Sequence, residues 1–192
     1  MNIGIYIYDN AEVLDFSGPY EVFTTANRVC SPPPFHVFLI AESLAPVQAR
    51  SGFNVLPHYD ISNHPKLDVL MVVGGDHTQE VNNEVVLDWI AQQSQSAPLV
   101  TSVCTGAFLL AKSGALQHHK ATTHWEDIAD LRQQFPMLQV QKNVRWVKDE
   151  NRISSGGISA GIDMSLFIVS ELTSIETAEA TAKQMEFRWQ RN

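Results

Sequence analysis

The chain has 192 residues, of which 44% are hydrophobic and 18% are charged. This length and composition predict one folded domain over residues 1–192, and they exclude a disordered or fibrous protein. The 21 acidic residues exceed the 13 basic ones, which gives a formal net charge of −8 without any basic run and argues against a nucleic-acid partner.

The N-terminal segment, MNIGIYIYDN, lacks the basic region and the long apolar run of a signal peptide. No apolar stretch approaches the ~20 residues that a membrane helix needs, so we expect a cytoplasmic protein with no membrane partner. Because that compartment is reducing, Cys30 and Cys104 are expected to remain thiols.

Strand and helix patterns alternate through the first part of the chain. Short apolar runs predict strands at residues 3–8, 35–41, 68–75 and 98–103. Helical spacing predicts one helix over residues 12–29, bent or interrupted at Gly18 and Pro19, a second over 82–97, and a third after Cys104. This alternation with short connections predicts an α/β fold with a mostly parallel sheet.

The pattern changes after residue 120. KATTHW predicts a short strand, and residues 140–157 predict a hairpin that turns at 149–151. Two helices are predicted to follow, over 159–172 and 174–191, the second with Ser174 as its N-cap.

Cys104 stands at the junction of a strand and a helix, in the sequence SVCTG. Small residues two positions before and after it allow the two elements to pack around a sharp turn, which is the pattern of a nucleophile elbow. A helix N-terminus favours negative charge, so we expect the pKa of the Cys104 thiol to lie below its usual ~8.5 and the thiolate to act as a nucleophile. A buried cysteine in a tight turn is the alternative. Cys30, just before SPPPF, is predicted to be inert.

Five segments together resemble the ThiJ/PfpI superfamily: EVLDFSGPYEVF, DVLMVVGG, SVCTGAFLLAKSGAL, ATTHW and SSGGISAGIDM. The resemblance extends over roughly residues 3–188. It implies the class I glutamine amidotransferase-like fold, a flavodoxin-like three-layer sandwich with helices on both faces of the sheet. Within the superfamily, the chain is most similar to the isonitrile hydratase branch and to the sensor domain of AraC-type regulators.

The resemblance also implies roles for individual residues. Cys104 matches the family nucleophile, and Asp15 matches the acidic residue that approaches it from the first helix. Thr105 matches the residue whose hydroxyl and N–H face the substrate, which makes it the third expected catalytic residue. Gly75, together with its neighbour Gly74, matches the backbone that binds the substrate or an oxyanion.

His124, in TTHW, matches a histidine found near the nucleophile in several members. It is expected either to contact the substrate, where it would serve as a base, or to pack at an interface beside Trp125. Members that resemble proteases, deglycases or glyoxalases often carry histidine directly after the nucleophile, where this chain has Thr105. True glutamine amidotransferases carry a His-x-Glu motif late in the chain, whereas the match to that spacing here, His124-Trp125-Glu126, follows Cys104 closely, so their amide hydrolysis is not expected.

Three functions remain open. The first is an isonitrile hydratase-like lyase, in which Cys104 attacks the terminal carbon to form a thioimidate and water then releases an N-substituted formamide. The second is a glyoxalase-like or deglycase-like enzyme that acts on reactive carbonyls, and the third is a non-enzymatic ligand or redox sensor. The sequence lacks a metal-ligand cluster and a phosphate-binding glycine motif, so neither metal nor cofactor is expected. The resemblance implies a homodimer that takes a small-molecule substrate.

Overall fold

Strands and helices alternate along the chain, which a computed structural model describes from residue 1 to residue 191. The strands, in chain order, are β1 (Asn2–Tyr6), β2 (His36–Ala41), β3 (Val47–Ala49), β4 (Phe53–Val55), β5 (Tyr59–Asp60), β6 (Val69–Val72), β7 (Leu99–Val103), β8 (Lys120–Ala121), β9 (Gln139–Val140), β10 (Trp146–Asp149) and β11 (Arg152–Ser155). The helices are α1 (Val13–Val29), α2 (Glu84–Ser96), α3 (Gly106–Lys112), α4 (Ile128–Gln134), α5 (Ala160–Leu172) and α6 (Ile175–Gln184).

Seven strands form the central sheet, in the order β10-β11-β7-β6-β1-β2-β5. All neighbours are parallel except β10 and β11. The residues of β6 are all buried, as expected of a parallel strand that is covered on both faces. Helices α1, α5 and α6 pack together, and α2 packs on α3. The predicted α/β three-layer sandwich with a mostly parallel sheet is therefore confirmed.

The short strand predicted in KATTHW is present as β8, which covers its first two residues. Several other short elements were not predicted. Strands β3 and β4 form an antiparallel pair and β8 pairs in parallel with β9, in two small sheets outside the main one. Their strands contain only two or three residues, which is too few to produce a recognisable alternation of apolar and polar positions. Helix α4, which has seven residues, was not predicted either.

Two helix predictions need correction. Helix α1 is not interrupted at Gly18 and Pro19, because both residues are buried and tertiary packing outweighs the local preference. Helix α6 ends at Gln184 and not at residue 191, since the following segment turns back to hydrogen-bond with α5. The hairpin turn at residues 149–151 is confirmed, as is the cap at Ser174, whose Oγ accepts from the Thr177 amide at 3.2 Å.

The carboxyl ends of three neighbouring strands meet at one edge of the sheet. Val72 of β6 pairs with Ser102 of β7, and Val103 of β7 pairs with Ser155 of β11. The residues that follow these strands therefore lie side by side, at the edge where open α/β sheets bind their ligands. Over residues 1–191, no helix is both long enough and apolar enough to cross a bilayer.

Candidate active site

Cys104 occupies the corner between β7 and α3. Its φ angle is +56°, in the left-handed region that residues other than glycine rarely adopt. The Cys104 amide donates to the carbonyls of Ser155, at 3.2 Å, and Gly156, at 3.3 Å. Its own carbonyl accepts from the Thr123 hydroxyl at 2.8 Å. Hydrogen bonds on both sides of the residue thus hold the strained corner in place.

Two glycines make the close packing around this corner possible. A Cβ atom on Gly106 would lie 2.2 Å from the carbonyl oxygen of Val72, so α3 can approach β6 only without a side chain there. A Cβ atom on Gly74 would lie 2.5 Å from the Thr105 amide nitrogen and 2.8 Å from the Cys104 Cβ. The geometry is that of the predicted nucleophile elbow.

Asp15, in the first turn of α1, is completely buried, and its carboxyl lies close enough to the Cys104 thiol for the ionisation of each group to affect the other. Its Oδ1 accepts from the Ile158 amide at 3.0 Å, and its Oδ2 accepts from the Gly74 amide at 3.2 Å. The carboxyl is therefore fixed by backbone from two separate loops. The structure brings Asp15 and Cys104 together, although they are distant in sequence.

Burial controls the ionisation of this pair. It raises the pKa of Asp15 from 3.8 to about 7, although the hydrogen bond from the Ile158 amide acts in the opposite direction. Burial also raises the pKa of the Cys104 thiol, and the negative charge of Asp15 raises it further. The hydrogen bond from the Thr105 amide favours the thiolate but does not outweigh these two effects.

The expectation that the pKa of Cys104 is lowered is therefore wrong. That expectation rested on the helix N-terminus alone, but Cys104 is buried and its thiol lies beside a carboxyl group. Asp15 and Cys104 are two interacting acids, so they titrate as a coupled unit.

Thr105 and the two glycines after β6 form a compact hydrogen-bonded cluster. The Thr105 hydroxyl accepts from the Gly75 amide and donates to the Gly75 carbonyl, each at 2.9 Å. The Gly74 amide, as described above, donates to Asp15. Both glycine amides are thus engaged within the protein, and binding an oxyanion would require either of them to exchange its partner.

His124 lies on the rim of the site with its side chain 20% exposed. Its Nδ1 is 3.5 Å from Asp127 Oδ2 and 3.7 Å from Glu126 Oε2. A Cβ atom on Gly157 would lie 2.2 Å from His124 Cδ2 and 3.2 Å from Cys104 Sγ. Gly157 thus separates the imidazole from the sulfur, and only a residue without a side chain fits between them.

A cavity of about 280 Å³ opens above the sulfur. It is lined by Glu12, Arg50, Gly75, Asp76, His77, Thr78, Cys104, Thr105, His124, Glu126, Asp127 and Ile158. A larger cavity, of about 360 Å³, lies beside the end of β1, but no cysteine lines it. We therefore assign the site to the smaller cavity, which holds the thiol and its neighbours.

The sequence profile of the DJ-1/PfpI family matches residues 1–171. The chain belongs to this family. It is 36% identical to an isonitrile hydratase from Pseudomonas putida over 188 residues, which cover 97% of this chain and 78% of the relative. It is 24% identical to the HTH-type transcriptional regulator GbdR from Pseudomonas aeruginosa over 191 residues, but these span only 52% of that regulator.

Solved structures of the family have the same fold. A ThiJ/PfpI family protein from Pseudomonas syringae superposes with a TM-score of 0.88 at 29% identity, covering 99% of this chain and 76% of that one. Drosophila melanogaster DJ-1beta superposes with a TM-score of 0.84 at 20% identity, covering 98% of each chain.

In this DJ-1/PfpI protein, all six residues singled out from the sequence lie around one corner of the sheet; they are Asp15, Gly74, Gly75, Cys104, Thr105 and His124. Sequence reasoning missed the contributions of Gly157, Ile158 and Asp127. The first two belong to SSGGISAGIDM, one of the segments that carry the family resemblance, and Asp127 follows TTHW closely. The resemblance in these two segments is therefore a signal that points to all three residues.

Proposed function

We propose that the chain is a cysteine-dependent isonitrile hydratase that converts an isonitrile and water into an N-substituted formamide. The observation that carries this proposal is the buried Asp15 carboxyl, which two backbone amides hold beside the Cys104 thiol. The substrate class comes from the isonitrile hydratase relative, whose similarity extends over 97% of the chain. We place the reaction in the cytoplasm, where thiols stay reduced.

The first half of the reaction forms a covalent intermediate. Asp15 accepts the thiol proton as the Cys104 sulfur attacks the terminal carbon of the isonitrile, forming a C–S bond. The same proton then passes to that carbon, which gives a thioimidate, R–N=CH–S–Cys. A carboxyl with a pKa of about 7 can both accept and return a proton near neutral pH, as this step requires.

The second half releases the product. Water adds across the C=N bond, with its oxygen bonding to carbon and one hydrogen to nitrogen. The C–S bond then breaks, the hydroxyl proton returns through Asp15 to the sulfur, and R–NH–CHO leaves. The atoms balance with water as the only co-reactant. His124, with Asp127 beside its Nδ1, stands at the rim where the attacking water would enter.

The test is direct. Purified protein is incubated with a panel of small alkyl and aryl isonitriles, and formamide is measured by chromatography beside lactate production from methylglyoxal. Formamide that depends on Cys104 supports the hydratase, whereas lactate without formamide assigns the chain to carbonyl chemistry.

A sensor is the second candidate, because the similarity to the regulator GbdR also extends along the whole chain. A sensor would bind a ligand or undergo oxidation at Cys104 without turnover. Absence of formamide and lactate, combined with a ligand-dependent rise in melting temperature, would favour it over both enzymes.

A further inference from the structure

The loop of residues 156–159, between β11 and α5, forms one wall of the site. Ile158 has a φ of +56°, which is a strained conformation for a β-branched residue. Its amide donates to Asp15 Oδ1 at 3.0 Å, while Gly157 approaches the sulfur of Cys104. The position of the Asp15 carboxyl thus depends on an unfavourable backbone conformation, which persists only where the surroundings impose it.

Arg145, just before β10, holds this loop at both ends. Its carbonyl accepts from the Gly156 amide at 2.9 Å. Its guanidinium donates to the Ser159 hydroxyl, with Nη2 at 3.3 Å and Nη1 at 3.4 Å. One residue therefore fixes the position on each side of the Gly157–Ile158 segment.

Asp163, in α5, orients Arg145. The Asp163 carboxylate is completely buried, and its Oδ2 accepts from Arg145 Nε at 2.8 Å and also from Nη2. Its Oδ1 accepts from the Gln190 amide at 2.8 Å, and its backbone carbonyl accepts from Trp189 Nε1 at 3.1 Å. The segment after α6 thus completes the set of partners that holds the carboxylate still.

We propose that Arg145 and Asp163 form a positioning pair that holds the 156–159 loop in its left-handed conformation and keeps the Ile158 amide against Asp15. A guanidinium suits this task because its planar fork fixes the direction of every N–H group. The pair acts through the loop on the proton acceptor of Cys104. This proposal rests on the proposed function in one respect only, namely that Asp15 accepts the proton of Cys104.

The consequence is a change in the ionisation of Asp15. The Ile158 hydrogen bond favours the charged carboxylate, so its loss raises the pKa of Asp15 above about 7. Alkylation of Cys104 depends on transfer of the thiol proton to ionised Asp15. Its rate therefore reaches a plateau at higher pH when the pKa of Asp15 is raised. Other titratable groups lie around Asp15 and Cys104. They are Glu12, next to Asp15, and Tyr8, Asp127 and His124, around the sulfur.

The chain offers a matched control for this pair. Lys148 of β10 and Glu171 of α5 join the same two parts of the fold through an ion pair whose side chains are 40% and 44% exposed. Asp163→Asn and Glu171→Gln each remove one carboxylate from α5. Both variants are made in a Cys30→Ser background, and the rate of Cys104 alkylation by iodoacetamide is measured from pH 5 to pH 10.

We expect Asp163→Asn to move the inflection of the rate profile upward by about one pH unit, the equivalent of one hydrogen bond to a charged group. Glu171→Gln should leave the profile where it is. Faster hydrogen exchange of the Ile158 amide in Asp163→Asn should accompany the shift. A wild-type profile in a folded Asp163→Asn protein would overturn the proposal.

If Asp163→Asn does not fold, Ser159→Ala tests the proposal instead, because it removes only the hydroxyl that accepts from Arg145. It should move the inflection in the same direction by a smaller amount, and an unchanged inflection would overturn the proposal. The alkylation assay requires no isonitrile. A wild-type protein that makes no formamide would therefore reject the proposed function without affecting this result.

Discussion

Replacing Asp15 with asparagine removes a proton acceptor and a buried charge while keeping the size of the side chain. The carboxylate accepts from the amides of Ile158 and Gly74. An asparagine side chain has one oxygen for these two donors and presents its NH₂ group to the other. Leaving one buried amide without an acceptor costs about 1–3 kcal/mol.

The buried charge has an opposite effect that depends on pH. Because burial raises the pKa of Asp15 from 3.8 to about 7, the folded protein binds this proton more tightly than the unfolded chain. The resulting stabilisation is complete below pH 3.8 and is lost as the pH rises through about 7. The stabilisation that the wild type loses amounts to about 4 kcal/mol. Asparagine does not titrate, so the variant does not undergo this loss.

We therefore expect the stability of Asp15→Asn, relative to the wild type, to improve by about 4 kcal/mol between pH 4 and pH 8. Turnover of an isonitrile should fall by roughly 10²–10⁴-fold, as for other lost general acids or bases. Urea unfolding at a series of pH values and formamide release at neutral pH measure the two effects. Glu21→Gln, on the exposed side of α1, is the control and should change neither.

A stability difference that is constant from pH 4 to pH 8 would refute the reasoning about the buried charge. Unchanged turnover would remove Asp15 from the mechanism. The two results are independent, because a buried carboxyl can titrate abnormally without taking part in the reaction.

Other predictions follow from the same site. Cys104→Ser should abolish formamide release and labelling by iodoacetamide at neutral pH, while Cys30→Ser should retain both, as peptide mapping would test. Cys104→Gly should be more stable than Cys104→Ala by about 1 kcal/mol in thermal unfolding, because only glycine adopts a φ of +56° without strain. Gly157→Ala should destabilise the protein by about 1–3 kcal/mol and displace His124, and an unchanged melting temperature would contradict the close approach that the structure contains. Light scattering should give twice the chain mass of 21.4 kDa, and a monomeric mass would reject the expected dimer.

The corner at Cys104 could be predicted because its signals are local. A strand, a thiol and small residues at the right spacing all fall within SVCTG. The approach of Asp15 could not be worked out that way, since it depends on packing between α1 and the sheet, and only the family resemblance suggested it.

The ionisation of the thiol and the position of Ile158 were beyond prediction for a different reason. The pKa of Cys104 depends on burial and on the distance to Asp15, and neither quantity is encoded in a short stretch of sequence. A positive φ at Ile158 contradicts the local preference of isoleucine and is imposed by Arg145 and Ser159. Such a residue has no sequence signature of its own.

The left-handed backbone at Cys104 has an evolutionary consequence. A left-handed φ costs a residue other than glycine about 1–2 kcal/mol, so the backbone conformation gives no reason for a cysteine at this corner. In a lineage that no longer used the thiol, substitutions at this position would be tolerated or even favoured, while the surrounding sheet would persist. If Cys104 carries the proposed reaction, relatives that have lost the activity are expected to have glycine at this corner of an otherwise unchanged sheet.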